Sequence, residues 1–392
     1  MTARLNSSLA VAFLLAALCI LPACGGGSAS PTPPPPPPPA QIEVLYVTNT
    51  SQVTAFPVNT STGALGTPTS VAGPSTSFGI VVNPGGKFLY VSDAINDTVS
   101  TYSIDATSGA LTAVGTPAAI GTAPGGGVQS GAGLAMDPAG KFLYAADFFA
   151  ARTAAFTASS SSGALAAVGG SPYPTSVSGG VIGSAPTQLV TDPAGKFLYV
   201  SDQGDPLGGV SSYTINSTTG GLSLVPGAPF TSLVSGGPYG LAVHPNGKFL
   251  YVGDRNVSRI VGNTINSDGT LTTLVGLPFT TGANPIGLAL DPSGKHLYTA
   301  NSGDSTISAF NVDANSGALT AIGSAVAVGA APYSLAVDPT GKFLYVTNPQ
   351  GGAAGTITGF SIDSTTGALT KFSGQPFAAG NGPVSLTVAV VP

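Results

Sequence analysis

One short pattern recurs seven times along this chain: Leu-Tyr, then Asp or Asn three residues after the tyrosine. It stands at Tyr46/Asn49, Tyr90/Asp93, Tyr144/Asp147, Tyr199/Asp202, Tyr251/Asp254, Tyr298/Asn301 and Tyr345/Asn348. Successive tyrosines are 44, 54, 55, 52, 47 and 47 residues apart. A period of that length, built from strand-like segments, implies radial or stacked repetition, because one such unit cannot bury its apolar face alone. Only 7% of residues are charged, while Gly (55) and Pro (34) abound, a mixture suited to short strands and tight turns.

Each copy reads as four strands. An apolar run comes first, as in Leu241-Ala242-Val243, and leads into a turn of the form Asp-Pro-x-Gly-Lys. That turn stands at Asp137 to Lys141, Asp192 to Lys196, Asp291 to Lys295 and Asp338 to Lys342, with Asn83 or His244 in place of the Asp in two copies. Asp first, Pro second and Gly fourth are type I turn choices. The second strand is Phe-Leu-Tyr-Val or a near variant, apolar without alternation, so both of its faces are expected to be buried. A third strand follows, as in Thr98 to Ile104, and then a turn ending in Gly63, Gly109, Gly163, Gly220, Gly269, Gly317 or Gly367. Glycine at a fixed place in a hairpin loop supplies a positive φ. A leucine two residues later, Leu65 through Leu369, opens the fourth strand.

The ends of the repeat region supply the topology. The first copy begins at its second strand, Val44-Leu45-Tyr46-Val47, whereas the last residues, 383–390, form a lone first strand. Pairing the two closes a ring and removes an exposed edge. The expected fold is therefore all-β: a seven-bladed β-propeller of four-stranded antiparallel blades, the first blade closed by the C-terminal strand. A parallel β-helix would need a much shorter period, and a membrane barrel longer alternating strands.

Before the repeats, Arg4 and the apolar segment Leu9 to Leu21 read as an export signal too short to span a membrane. Leu21-Pro22-Ala23-Cys24-Gly25 resembles the lipobox of bacterial lipoproteins, which implies acylation of Cys24 and residence in the cell envelope, with Gly25 compatible with the outer membrane. Residues 1–23 are then a signal peptide, 24–41 a Gly/Ser/Pro-rich tether containing a polyproline rod, and 42–392 the propeller. Cys19 leaves with the leader, so the propeller has neither disulfide nor thiol nucleophile.

The repeat is similar to the seven-bladed propellers of the lactonase family, which includes phosphogluconolactonase-type enzymes. It also matches the repeat named for Tyr-Val-Thr-Asn, which stands literally at Tyr46–Asn49 and Tyr345–Asn348. The resemblance implies a site at the mouth of the central channel, where family enzymes are expected to gather His, Arg and acidic side chains. A His commonly follows the Pro that enters the innermost strand. Here those positions hold Thr187, Tyr239, Ile286, Tyr333 and Val384, with Phe78 and Ala132 in the less regular copies.

Alternating strand direction puts the Asp-Pro and Gly-Ala-Leu turns on one face. The inter-blade loops share the other face with the turns after Leu-Tyr. The second face is the variable one, with long stretches at 115–131 and 169–186, so a ligand site is expected there. Six of seven lysines, and His244 and His296, belong to the repeated turn and read as structural. The seven Asp/Asn residues form a ring too wide for one ion, and turn capping accounts for them, so neither metal nor cofactor is expected. The pattern-breaking residues Arg152, Tyr173, Tyr239, Arg255 and Tyr333 are the ligand-binding candidates, with Arg259 near them. Aromatic faces with an occasional Arg suit a glycan or peptide ligand, and a plug at the channel top is the alternative.

Two functions stay open. The first is a non-catalytic envelope module, monomeric, that binds a glycan, peptide or protein. The second is a lactone hydrolase, which needs a base and donors aimed at the developing oxyanion. The one Glu, Glu43, stands near the start of the repeats and is expected outside any mouth, whereas Asp97, Asp205 or Asp304 could act as the base. With a net charge of −5 and no basic run, nucleic acid is not expected as a partner.

Overall fold

The computed structural model describes residues 41–121, 133–148, 150–175, 185–203, 208–231, 237–274, 278–349 and 354–392. All lie in the second of the two units into which the chain divides, Ala40–Pro392. They form seven antiparallel sheets, one per repeat. The fifth, for example, runs outward from Pro238–Val243 through Phe249–Asp254 and Arg259–Ile265 to Leu271–Thr273.

The clasp forms as the chain ends require. The terminal strand Leu386–Val391 pairs with Ile42–Asn49, from Ile42 opposite Val391 to Val47 opposite Leu386. The first sheet therefore contains both ends of the domain.

Second strands are buried along their whole length. All six residues of Phe88–Asp93 and of its counterparts in the next five blades are buried. Each is sandwiched between neighbouring sheets, so the core consists of clusters shared by adjacent blades, such as Tyr144, Leu198 and Tyr213. The repeated tyrosine also bonds the next blade. Tyr46, Tyr144, Tyr251 and Tyr298 each donate to the carbonyl of the following blade's turn glycine, at Gly109, Gly220, Gly317 and Gly367, over 2.9–3.2 Å. Tyr345 of the last blade donates to Gly63 of the first at 2.7 Å, which stitches the ring shut. In the fourth blade Ser212 Oγ takes this role, donating to Gly269 at 2.8 Å.

The outer strand departs from expectation. In four blades it is broken in two, as where Leu165–Ala167 and Tyr173–Pro174 both pair with Arg152–Ala158. A glycine at positive φ followed by a cis X-Pro bond occupies this break at Gly170/Pro172, and Gly374/Pro376 repeats it. In the first blade Leu65 makes only an isolated bridge to Val58, and the outer strand is Thr69–Ala72.

Candidate functional site

The innermost strands begin, and the second strands end, on the variable face. A cavity of about 430 Å³ opens there. Its wall is built from two equivalent positions of the repeat. The residue after the entering proline supplies Thr187, Tyr239, Ile286 and Tyr333. The residue after the Leu-Tyr-x-x-Asp/Asn supplies Phe148, Gln203, Arg255, Ser302 and Pro349. Phe78, Asn284 and Ala331 complete it. Asn284 and Ala331 precede their prolines at φ +59 and +48, a left-handed turn that carries the chain from loop into strand.

Phe78, Tyr239, Ile286 and Tyr333 also line a smaller cavity of about 80 Å³ within the channel. They form the partition between the two spaces and so the floor of the outer one. The Tyr239 and Tyr333 rings meet edge to face, 6.0 Å between centroids, and their hydroxyls are hydrogen-bonded. Phe78 packs on Tyr333 at 6.3 Å. Burial pushes both phenols upward, against the smaller opposing pull of Arg255, so both are neutral at ordinary pH. A hydroxyl pair shares one hydrogen, which leaves the second O–H available as a donor.

Arg255 opens the 3₁₀ turn Arg255–Val257 after Phe249–Asp254, and its N–H donates to the Gly237 carbonyl at 3.0 Å. Its guanidinium lies 5.7 Å from the centre of the Tyr239 ring, a cation–π arrangement. It has no carboxylate within ion-pair distance among the described residues, whereas Arg259 pairs with Asp254 at 3.1 Å. Ser201 fixes the floor from behind by donating to the Tyr239 carbonyl at 2.8 Å.

Three of the five ligand candidates thus meet in one cavity: Tyr239, Arg255 and Tyr333. The other two lie elsewhere. Arg152 is exposed at the start of a third strand, opposite Asp147 and Pro174. Tyr173 belongs to the outer part of the same blade, where its hydroxyl donates to Gly169 at 2.8 Å. Sequence reasoning passed over Phe148, Gln203, Asn284, Ser302 and Pro349. A usable signal existed for four of them, because each follows the constant Asp/Asn directly and differs from blade to blade.

No carboxylate or imidazole stands among the described wall residues. Of the possible bases, Asp97 is pushed up to about 6 by burial and by Asp147, yet lies outside the wall. Asp304 is exposed and accepts the Ala283 N–H. Asp205 falls outside the described residues, as do Cys24, the tether and much of the two long inter-blade stretches. His244 and His296 are buried in the opposite face, bonded to the Gly294 carbonyl and to Asp291. The Asp/Asn ring is used locally: Asp93 and Asp147 cap turns, while Asn49, Asn301 and Asn348 donate to third-strand hydroxyls. Among the described residues no three His, Cys, Asp or Glu side chains converge as a metal set.

Solved structures share this architecture. A putative 6-phosphogluconolactonase of Bacteroides fragilis superposes with a TM-score of 0.72 at 21% identity, covering 90% of this chain and 98% of that one. The periplasmic gluconolactonase of Pseudomonas aeruginosa gives a TM-score of 0.69 at 20% identity, covering 90% and 100%. At such identity the likeness is one of fold. No curated protein matches the chain. The family model described as lactonase, 7-bladed beta-propeller, matches residues 41–178 and 236–331. With that match, a seven-sheet ring and its closing clasp, the chain belongs to the seven-bladed lactonase family.

Proposed function

We propose that the protein is a binding module whose mouth cavity takes a small organic anion. The observation that carries this reading is Arg255: half-buried, stacked over Tyr239, and without a carboxylate partner among the described residues. A cation held in that way gains most from an anion brought to it. The aromatic floor and walls favour a ligand with an apolar face.

Lactone hydrolysis is the second reading, favoured by family membership and by the lactonases among the structural relatives. One experiment separates them. The purified protein is titrated calorimetrically with organic acids and assayed for ring opening of gluconolactones. The binding reading expects heat with acids, its loss in Arg255→Ala, and lactone opening at the buffer rate. Turnover above buffer that falls in Arg255→Ala would instead favour the enzyme.

The lipobox-like segment supports export and lipid anchoring in the bacterial envelope through Cys24. Cys24→Ala should then move the protein from the membrane to the soluble fraction, and unchanged partitioning would refute the anchor.

A further inference from the structure

Resting on that anion-binding reading, we infer that the occupant of the mouth cavity is a planar aromatic monocarboxylate rather than a polyol acid or a phosphorylated sugar. The inference comes from which polar groups of the wall are still unused. Thr187 Oγ1 is bonded to Ser201, and Ser302 Oγ donates to the Asn284 carbonyl. Beyond these, the wall offers the Arg255 guanidinium, without a carboxylate partner among the described residues, the second O–H of the Tyr239–Tyr333 pair, and the side-chain amides of Gln203 and Asn284. A cation near a phenolic O–H calls for a charged group that accepts and does not donate, and a carboxylate is such a group. A polyol brings its own O–H donors, and each one enclosed without an acceptor costs free energy. To accept them the side chains of the described wall hold two amide oxygens, on Gln203 and Asn284, and no carboxylate.

Charge narrows the class further. The described wall offers a single cation, so a monoanion is matched, whereas a phosphate dianion would leave one negative charge uncompensated in a half-enclosed site. Shape narrows it again. The rings of Phe78, Tyr333 and Tyr239 meet in sequence along the wall, and Phe148, Ile286 and Pro349 extend its apolar lining. Such walls take a flat ring in stacked or edge-on contact and gain little from a puckered, hydroxylated one. A cavity of about 430 Å³ has room for a one- or two-ring molecule.

The test is a titration of the full chain with 2-naphthoate, cyclohexanecarboxylate, 2-naphthamide and gluconate. 2-Naphthoate should bind tightest, with the other three weaker by roughly tenfold or more, the equivalent of one charge-assisted contact or one ring stack. Arg255→Gln should weaken 2-naphthoate to the level of the amide. Tyr333→Phe keeps the ring and removes a donor, and should weaken 2-naphthoate several-fold; unchanged melting of both variants ties these losses to the site. Gluconate binding as tightly as 2-naphthoate, with Arg255 still required, would overturn the aromatic assignment and leave the anion site standing. Absence of binding by every acid would overturn both.

Discussion

Glu43 shows how much one side chain can impose on the clasp. It is 3% exposed, sits opposite Val390 of the closing strand, and its Oε1 has no hydrogen-bond partner. Burial first, and the neighbouring Asp338 second, raise its carboxyl to about 7 against the opposing pull of Lys342; Tyr345 also faces it. The folded-state value lies above the ordinary one of 4.5, so the folded protein keeps a proton that the unfolded chain releases. Stability should therefore fall as pH rises from about 4.5 to about 7 and level off above that. Glu43→Gln should flatten this slope and stabilise the protein at pH 8 by on the order of 2 kcal/mol. Thermal melts of both proteins at pH 5 and pH 8 would check it, and parallel pH profiles would refute it. Glu43 was legible in the sequence only as an acid away from the mouth. Nothing local announces that its strand faces another blade's turn. Arg152 and Arg255 posed the converse problem. Both break the pattern, but a pattern break does not reveal distance from the channel axis.

The turn glycines answer to two demands at once. Gly317 has φ +72, and a Cβ on it would lie 2.6 Å from the Phe249 ring of the preceding blade. Gly317→Ala therefore combines backbone strain with a clash in a filled seam, and should cost about 2–4 kcal/mol by denaturant titration. The positive φ was readable from the hairpin pattern. The close approach of the neighbouring blade was not, since it depends on how two sheets stack. The tyrosine stitch escaped sequence reading for the same reason: it joins a side chain to another repeat's backbone, and no residue type marks a carbonyl. Tyr345→Phe removes the donor to Gly63 and should cost about 1–2 kcal/mol, whereas Tyr199→Phe, in the blade where Ser212 makes the bond to the turn glycine, should cost less. Equal losses would show that ring packing, not the bond, holds the seam.

Across the whole molecule, seven seams share the task of closing the ring, and one of them depends on the chain's last residues. Deleting 386–392 strips the pairing from Ile42–Val47 and removes buried Leu386, Ala389 and Val391. The truncated protein should melt far lower and aggregate through the exposed strand, as size-exclusion chromatography and a melting curve would report. A truncated chain that melts like the intact one would refute the clasp. Blade number and clasp were readable because a repeated Leu-Tyr and one surplus strand are countable. Which side chains line the mouth cavity was not, because that depends on how the strand ends of six blades converge. The clasp has a further geometric outcome. Ile42 and Val391 lie side by side, and Gly86 of an Asp-Pro-type turn abuts the Val390 carbonyl, so both termini of the domain emerge at the strand ends remote from Arg255. Tension applied at Ile42 and Val391 would thus run along one pair of hydrogen-bonded strands, at the end opposite to Arg255.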